Sequence, residues 1–181
     1  LGVDRARITV AGDSAGGNLA ALCAHRDRDL GTGMVRRQVL YYPALAVRDT
    51  EGLAGFHFSL ADYCYDDSQK HLIEPRVMAI YNAGRRSEAN YIPAGVSTTD
   101  KAVSPLWDDD FSRLPETLLI AAQYDYLTQQ CRAYAARLAE AGVPVTLMNY
   151  CGMAHAFVDR CGVYPQADDS LRAFAAFVKK P

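Results

Sequence analysis

No apolar run in this chain approaches the roughly 18 residues that a membrane-spanning helix requires, so no membrane span is expected. Neither sign of charge is in excess: 19 Lys and Arg stand against 21 Asp and Glu, for a net charge of −2. That balance gives no electrostatic case for nucleic acid or an anionic membrane surface as a partner. Repeats, low-complexity tracts and flexible linkers are absent. No basic segment leads into an apolar core at the start, so no secretory signal is visible. The cysteines, Cys23, Cys64, Cys131, Cys151 and Cys161, are odd in number and share no short paired spacing. They point to reduced thiols in a cytoplasmic protein rather than to a disulfide framework. Cys151, His155 and Cys161 match no zinc spacing and have no evident fourth ligand, so no metal is expected.

What is present is an ordinary globular composition, 50% hydrophobic over 181 residues, which suits a single domain (1–181) with a sizeable core. One stretch carries chemistry. Ile8-Thr9-Val10 runs into Gly12-Asp13-Ser14-Ala15-Gly16, and an Ala/Leu-rich helical pattern follows. Strand, sharp turn and helix are the setting in which Gly-x-Ser-x-Gly lifts a serine hydroxyl clear of a sheet edge, as a nucleophile must be lifted. Gly12 and Gly16 lack the Cβ atoms that would clash where strand and helix converge. The new helix points its unbonded N–H groups at any oxyanion beside Ser14, and the Ala15 N–H is the donor that can be named.

Taken in order, the chain reads as a strand over Ile8–Val10 and a helix from about Ala15 to Leu30, stopped by Gly31 and Gly33. Leu19, Leu22 and Cys23 form its apolar face, with His25 outward among charges. A second strand, Gln38–Tyr42, ends at Pro43, which completes a βαβ unit and implies a parallel sheet. An irregular, aromatic-rich excursion occupies about 45–114, with Phe56-His57-Phe58, Tyr63-Cys64-Tyr65 and a short helix from Pro75 to Tyr81 closed by Asn82-Ala83-Gly84. Excursions of this length between strands serve as lids or substrate-binding insertions. Its aromatics suit a pocket roof or the insertion's own small core. The acidic run Asp108, Asp109, Asp110 reads as solvated. The rhythm resumes with a strand over 118–123, a helix capped by Thr128 and running to Ala141, a strand over 143–150, and a closing helix opened by Asp168 or Asp169.

A serine nucleophile needs a base, and the base needs a group that orients it. In a parallel sheet these sit on loops beyond the carboxyl ends of strands. Asp125 follows one such strand and His155 the next, in the order Ser, Asp, His. His25, His57 and His71 compete less well for the base, as do Asp159, Asp168 and Asp169 for the acid. Asp13, Leu127 and Phe157 are the candidate lining of a substrate pocket.

The string Gly12-Asp13-Ser14-Ala15-Gly16-Gly17-Asn18-Leu19-Ala20 resembles the elbow of the hormone-sensitive-lipase-like branch of the α/β-hydrolases, carboxylesterases and lipases acting on short to medium acyl chains. Ala122-Gln123-Tyr124-Asp125-Tyr126-Leu127 is similar to that family's acid string, with Tyr126 where a proline is usual, which implies a less rigid loop. Gly152-Met153-Ala154-His155-Ala156-Phe157 resembles its histidine string. Ala156 replaces a glycine there and would be strained at positive φ. Val103-Ser104-Pro105-Leu106 also looks like a family string. The resemblance implies an α/β-hydrolase fold with a cap in the insertion, a small-molecule ester as substrate and no cofactor.

The family's upstream His-Gly-Gly-Gly loop, a source of oxyanion donors, has no counterpart here. The residues therefore correspond to the C-terminal part of a family member, with the sheet incomplete on its N-terminal side. A missing N-terminal half or a second chain, as in a homo-oligomer, would complete it. An amide- or peptide-cleaving relative uses the same machinery. A non-catalytic ligand-binding or inactive truncated member is the rival from another class, and His155 in its context argues for the enzyme.

Overall fold

In a computed structural model the described residues are 2, 4, 7–47, 53, 56 and 58–180, except for the side chains of 84–89. His57 lies outside them. The elements are β1 (Ile8–Asp13), α1 (Ser14–Leu30), β2 (Val35–Tyr41), α2 (Lys70–Tyr91), β3 (Glu116–Tyr124), α3 (Leu127–Glu140), β4 (Val145–Ala154) and α4 (Pro165–Val178). The strands pair in parallel in the order β1-β2-β3-β4. The central strands β2 and β3 are covered on both faces, and their buried stretches, 39–41 and 118–122, are unbroken apolar runs. Leu40 and Leu119 point towards α1 and α3, where Ala20, Ala21, Tyr134 and Leu138 meet them. Val39, Tyr41, Leu118 and Ile120 point the other way, onto Ala167 and Phe177 of α4. No helix among the described residues is long and apolar enough to cross a membrane.

Several local expectations give way to tertiary contacts. The buried face of α1 is Gly17, Asn18, Ala20, Ala21, Ala24, His25 and Arg28, while Leu19 is 54% exposed and Cys23 is exposed. Small residues face the sheet because the helix leaves β1 at such close range that a leucine would not fit. His25 and Asp108 are buried rather than solvated. His25 Nδ1 lies 2.8 Å from Asp108 Oδ2 and its Nε2 3.0 Å from the Tyr134 hydroxyl, while Arg28 donates to Asp108 Oδ2 at 2.6 Å. Burial pulls the His25 pKa down against the opposing influence of Asp108. Burial alone would raise the Asp108 carboxyl, but hydrogen bonds from His25, Arg28 and the Asp110 N–H hold it well below the usual carboxylate range. The cluster ties the end of α1 to α3 and to the turn before β3.

Helix α2 begins five residues before Pro75 and runs through Asn82-Ala83-Gly84 to Tyr91. It is launched by the turn Asp67–Gln69, where Asp66 and Gln69 form a capping box. One glycine costs about 1 kcal/mol in a helix, too little to stop one that is anchored by buried Ile73 and Val77. Thr128 does not cap α3; its hydroxyl donates to the Ala122 carbonyl at 2.5 Å. Helix α4 starts at Pro165, whose missing N–H costs nothing in a first turn, and not at Asp168 or Asp169.

The insertion aromatics form a core of their own. Phe58 stacks on Tyr81 with centroids 5.1 Å apart. Both rings meet Tyr126, at 4.9 and 5.1 Å. Tyr126 holds φ −52, which a proline would also adopt, so the loop keeps a proline-compatible backbone and gains an aromatic anchor for the insertion.

Candidate active site

Ser14 sits at the first position of α1 with φ 52, the left-handed region that a non-glycine residue avoids. The turn is that tight because strand and helix backbones nearly touch. A Cβ on Gly12 would lie 2.2 Å from the Gly16 carbonyl oxygen, and one on Gly17 would lie 2.8 Å from Pro43 Cβ. Gly16, expected from the sequence to be a steric position, is not one: a Cβ there meets nothing nearer than Asp13 Oδ1 at 3.8 Å. Gly16 contributes its carbonyl to the contact, and Gly12 and Gly17 are the positions that must lack side chains. Gly12→Ala is therefore expected to cost about 3 kcal/mol, the upper end of overpacking penalties. Gly16→Ala is expected to be neutral or to stabilise by up to about 1 kcal/mol. Urea melts of the paired variants check this, and equal destabilisation would contradict it.

His155 Nε2 lies 2.9 Å from Ser14 Oγ, and its Nδ1 lies 2.6 Å from Asp125 Oδ2. The structure brings these three together across 141 positions of sequence. Asp125 is fully buried at the end of β3. Its Oδ1 accepts the Leu127 N–H at 3.0 Å, and its carbonyl accepts from the Tyr63 hydroxyl at 3.1 Å. With Oδ1 engaged by Leu127, Oδ2 is directed at His155. An Nδ1–H donated to a carboxylate leaves the Nε2 lone pair for the serine proton. Ala156, beside the histidine, has φ 62 and ψ 25. The turn does need left-handed backbone, and an alanine there carries a strain of roughly 1–2 kcal/mol that a glycine would not.

Ala15 is exposed in the first turn of α1, where helix N–H groups have no intrahelical acceptor. Asp13 is exposed at the end of β1 and makes no side-chain cap to α1. Leu127 and Phe157 are only 6% and 3% exposed and pack in separate apolar clusters. Phe157 braces Tyr42 and Tyr150, and Leu127 seats the insertion.

Two residues outside the candidate triad tie the insertion to the site, and their sequence context assigns neither of them that role. Buried Asn18 donates to the carbonyls of Ala44 (2.7 Å) and Val103 (3.0 Å) and accepts from the Tyr91 hydroxyl (2.9 Å). It thereby ties both ends of the insertion to the helix that carries Ser14. Tyr63 does the same for the acid loop.

Residues 1–159 match a family model described as an alpha/beta hydrolase fold. The chain is 29% identical over 171 residues to the esterase LipI of Mycobacterium tuberculosis, covering 94% of this chain and 48% of that protein. It is 30% identical over 184 residues to the carboxylesterase NlhH of the same organism, covering 99% and 52%. Among solved structures it superposes on the hyperthermophilic esterase of Pyrobaculum calidifontis with a TM-score of 0.79 at 31% identity, covering 98% of this chain and 54% of that one. The chain thus spans about half the length of the curated relatives it matches.

Proposed function

This chain belongs to the alpha/beta hydrolase fold family, in its hormone-sensitive-lipase-like branch, and from that premise we propose that it hydrolyses carboxylic esters through an acyl-serine. The observation that carries the reading is the Ser14–His155–Asp125 hydrogen-bond chain, at 2.9 and 2.6 Å, on a serine with positive φ. His155 takes the Ser14 proton as Oγ attacks the ester carbonyl carbon. The Ala15 N–H and the α1 N-terminus stabilise the oxyanion. His155 then gives its proton to the departing alkoxide, leaving the acyl group on Ser14. Water, deprotonated by the same imidazole, releases the acid and frees the serine. Asp125 holds the tautomer and stabilises the imidazolium.

The segment 45–114 acts as a cap within this single domain (1–181), seated by its aromatic core on Tyr126 and Leu127 and tied down by Asn18. The relatives' names support ester substrates, and short to medium acyl chains are what the family resemblance implies. A series of p-nitrophenyl esters from acetate to palmitate, with p-nitroanilides alongside, tests this. Short and medium esters are expected to turn over fastest, and faster cleavage of the anilides would make the protein an amidase.

Among the described residues β1 pairs on one side only, and an open edge is a template for another strand. A further strand, from more polypeptide or from a second copy, completes the sheet there and brings additional oxyanion donors. Intact mass and gel filtration of the protein from its host are expected to show a longer chain or an oligomer. A monomer of 181 residues with ordinary esterase rates would overturn this. The odd count and unpaired spacing of the five cysteines support a reducing compartment such as the cytoplasm.

A further inference from the structure

The hydrogen bonds to His155 run along one axis, from Asp125 at Nδ1 to Ser14 at Nε2. Each is a single contact, and rotation about the Cα–Cβ and Cβ–Cγ bonds would carry both nitrogens off their partners. Something must hold its face. The Tyr42 ring does so: its centroid is 4.8 Å from that of the imidazole, with the planes at 57°. Tyr42 is itself immobilised. It is fully buried, meets Phe157 and Tyr41 edge-on at 5.7 and 6.0 Å, and donates its N–H to the Ile120 carbonyl at 2.6 Å. Its φ of 32 is a backbone state that bulky residues avoid. Such strain persists only where the surroundings over-determine it, and it clusters at functional sites.

The next two residues meet the helix that carries the serine. Pro43 packs against Gly17 of α1, and the Ala44 N–H donates to the Ser14 carbonyl at 3.0 Å. We infer that Tyr42 is a positioning residue for His155, and that the strap Tyr42-Pro43-Ala44 sets the imidazole in register with Ser14. This rests on the serine–histidine reading above. The strap also begins the insertion, so the segment proposed as a cap starts from the residues that hold the reacting pair.

The test compares Tyr42→Phe, Tyr42→Leu and Phe174→Leu in the protein as its host makes it. Phe174 belongs to the same apolar cluster and meets Tyr41 at 6.4 Å. Tyr42→Leu is expected to lower kcat for a p-nitrophenyl ester about 100-fold, the scale of a misplacement near 1 Å, with KM unchanged. Fluorophosphonate labelling of Ser14 is expected to slow by the same factor. Tyr42→Phe keeps the ring and is expected to restore both rates. Phe174→Leu is expected to lower the thermal midpoint without lowering kcat. The inference fails if Tyr42→Leu labels at the original rate, if Tyr42→Phe loses as much as Tyr42→Leu, or if Phe174→Leu loses the same kcat. An unsubstituted protein that does not label at Ser14 would overturn the underlying reading as well, which separates the two failures.

Discussion

Ser14→Ala is expected to abolish fluorophosphonate labelling and to lower kcat by about 10⁶-fold, the scale seen when a triad serine is removed. Ser14 Oγ is the hydroxyl held against His155 Nε2, at 2.9 Å, and without a base in contact a serine hydroxyl is a weak nucleophile. Alanine meets the same steric cost as serine at φ 52, so the elbow is expected to fold as before. Circular dichroism and a thermal melt check the fold, and intact mass after probe treatment checks the label. Full labelling of the variant would mean that another residue is the nucleophile.

Asp125→Asn is expected to cost about 10⁴-fold in kcat, as tautomer loss does in other triads. The present geometry says why. The Asp125 Oδ1 accepts the Leu127 N–H at 3.0 Å, and an asparagine carbonyl oxygen satisfies that bond equally well. Its amide NH₂ then faces His155 Nδ1, where a carboxylate oxygen had accepted the Nδ1–H hydrogen bond at 2.6 Å. The imidazole must place its proton on Nε2, pointing at Ser14, and it can no longer take the serine proton. Asp159→Asn and Asp168→Asn serve as controls. Asp168 binds the Gly162 N–H at 2.8 Å, away from His155, and its removal is expected to leave kcat nearly unchanged. A large loss at either control with little at Asp125 would reassign the acid.

The elements and their order were legible where the information is local. Apolar runs marked the end of β2 and the middle of β3, where both faces are buried and polar residues do not alternate with apolar ones. The serine turn was legible because strand, glycine and helix occupy a dozen consecutive residues. Asp125 and His155 could be placed because each directly follows a strand whose carboxyl end must carry the loop chemistry. The positive φ that the Ala156 turn requires was posed as a question by the sequence and answered by the backbone, at φ 62.

Other assignments depended on partners far along the chain. Nothing near His25 announces that it is buried, because Asp108 lies 83 positions away and Tyr134 lies 109. A solvated charge run and a buried acceptor have the same composition, and only the arrival of His25 and Arg28 distinguishes them. Whether the aromatics of the insertion roof a pocket or pack together turned on Tyr126, which comes from outside the insertion. The steric glycine was misassigned for a similar reason: the Gly17 contact is with Pro43, at the end of a different strand. By itself, then, the sequence determined strand and helix types, the elbow and the order of the candidate triad, since these follow from neighbours within a few residues. Tertiary structure alone decided which faces are buried, how far α2 runs and what braces His155, since each depends on where distant segments meet.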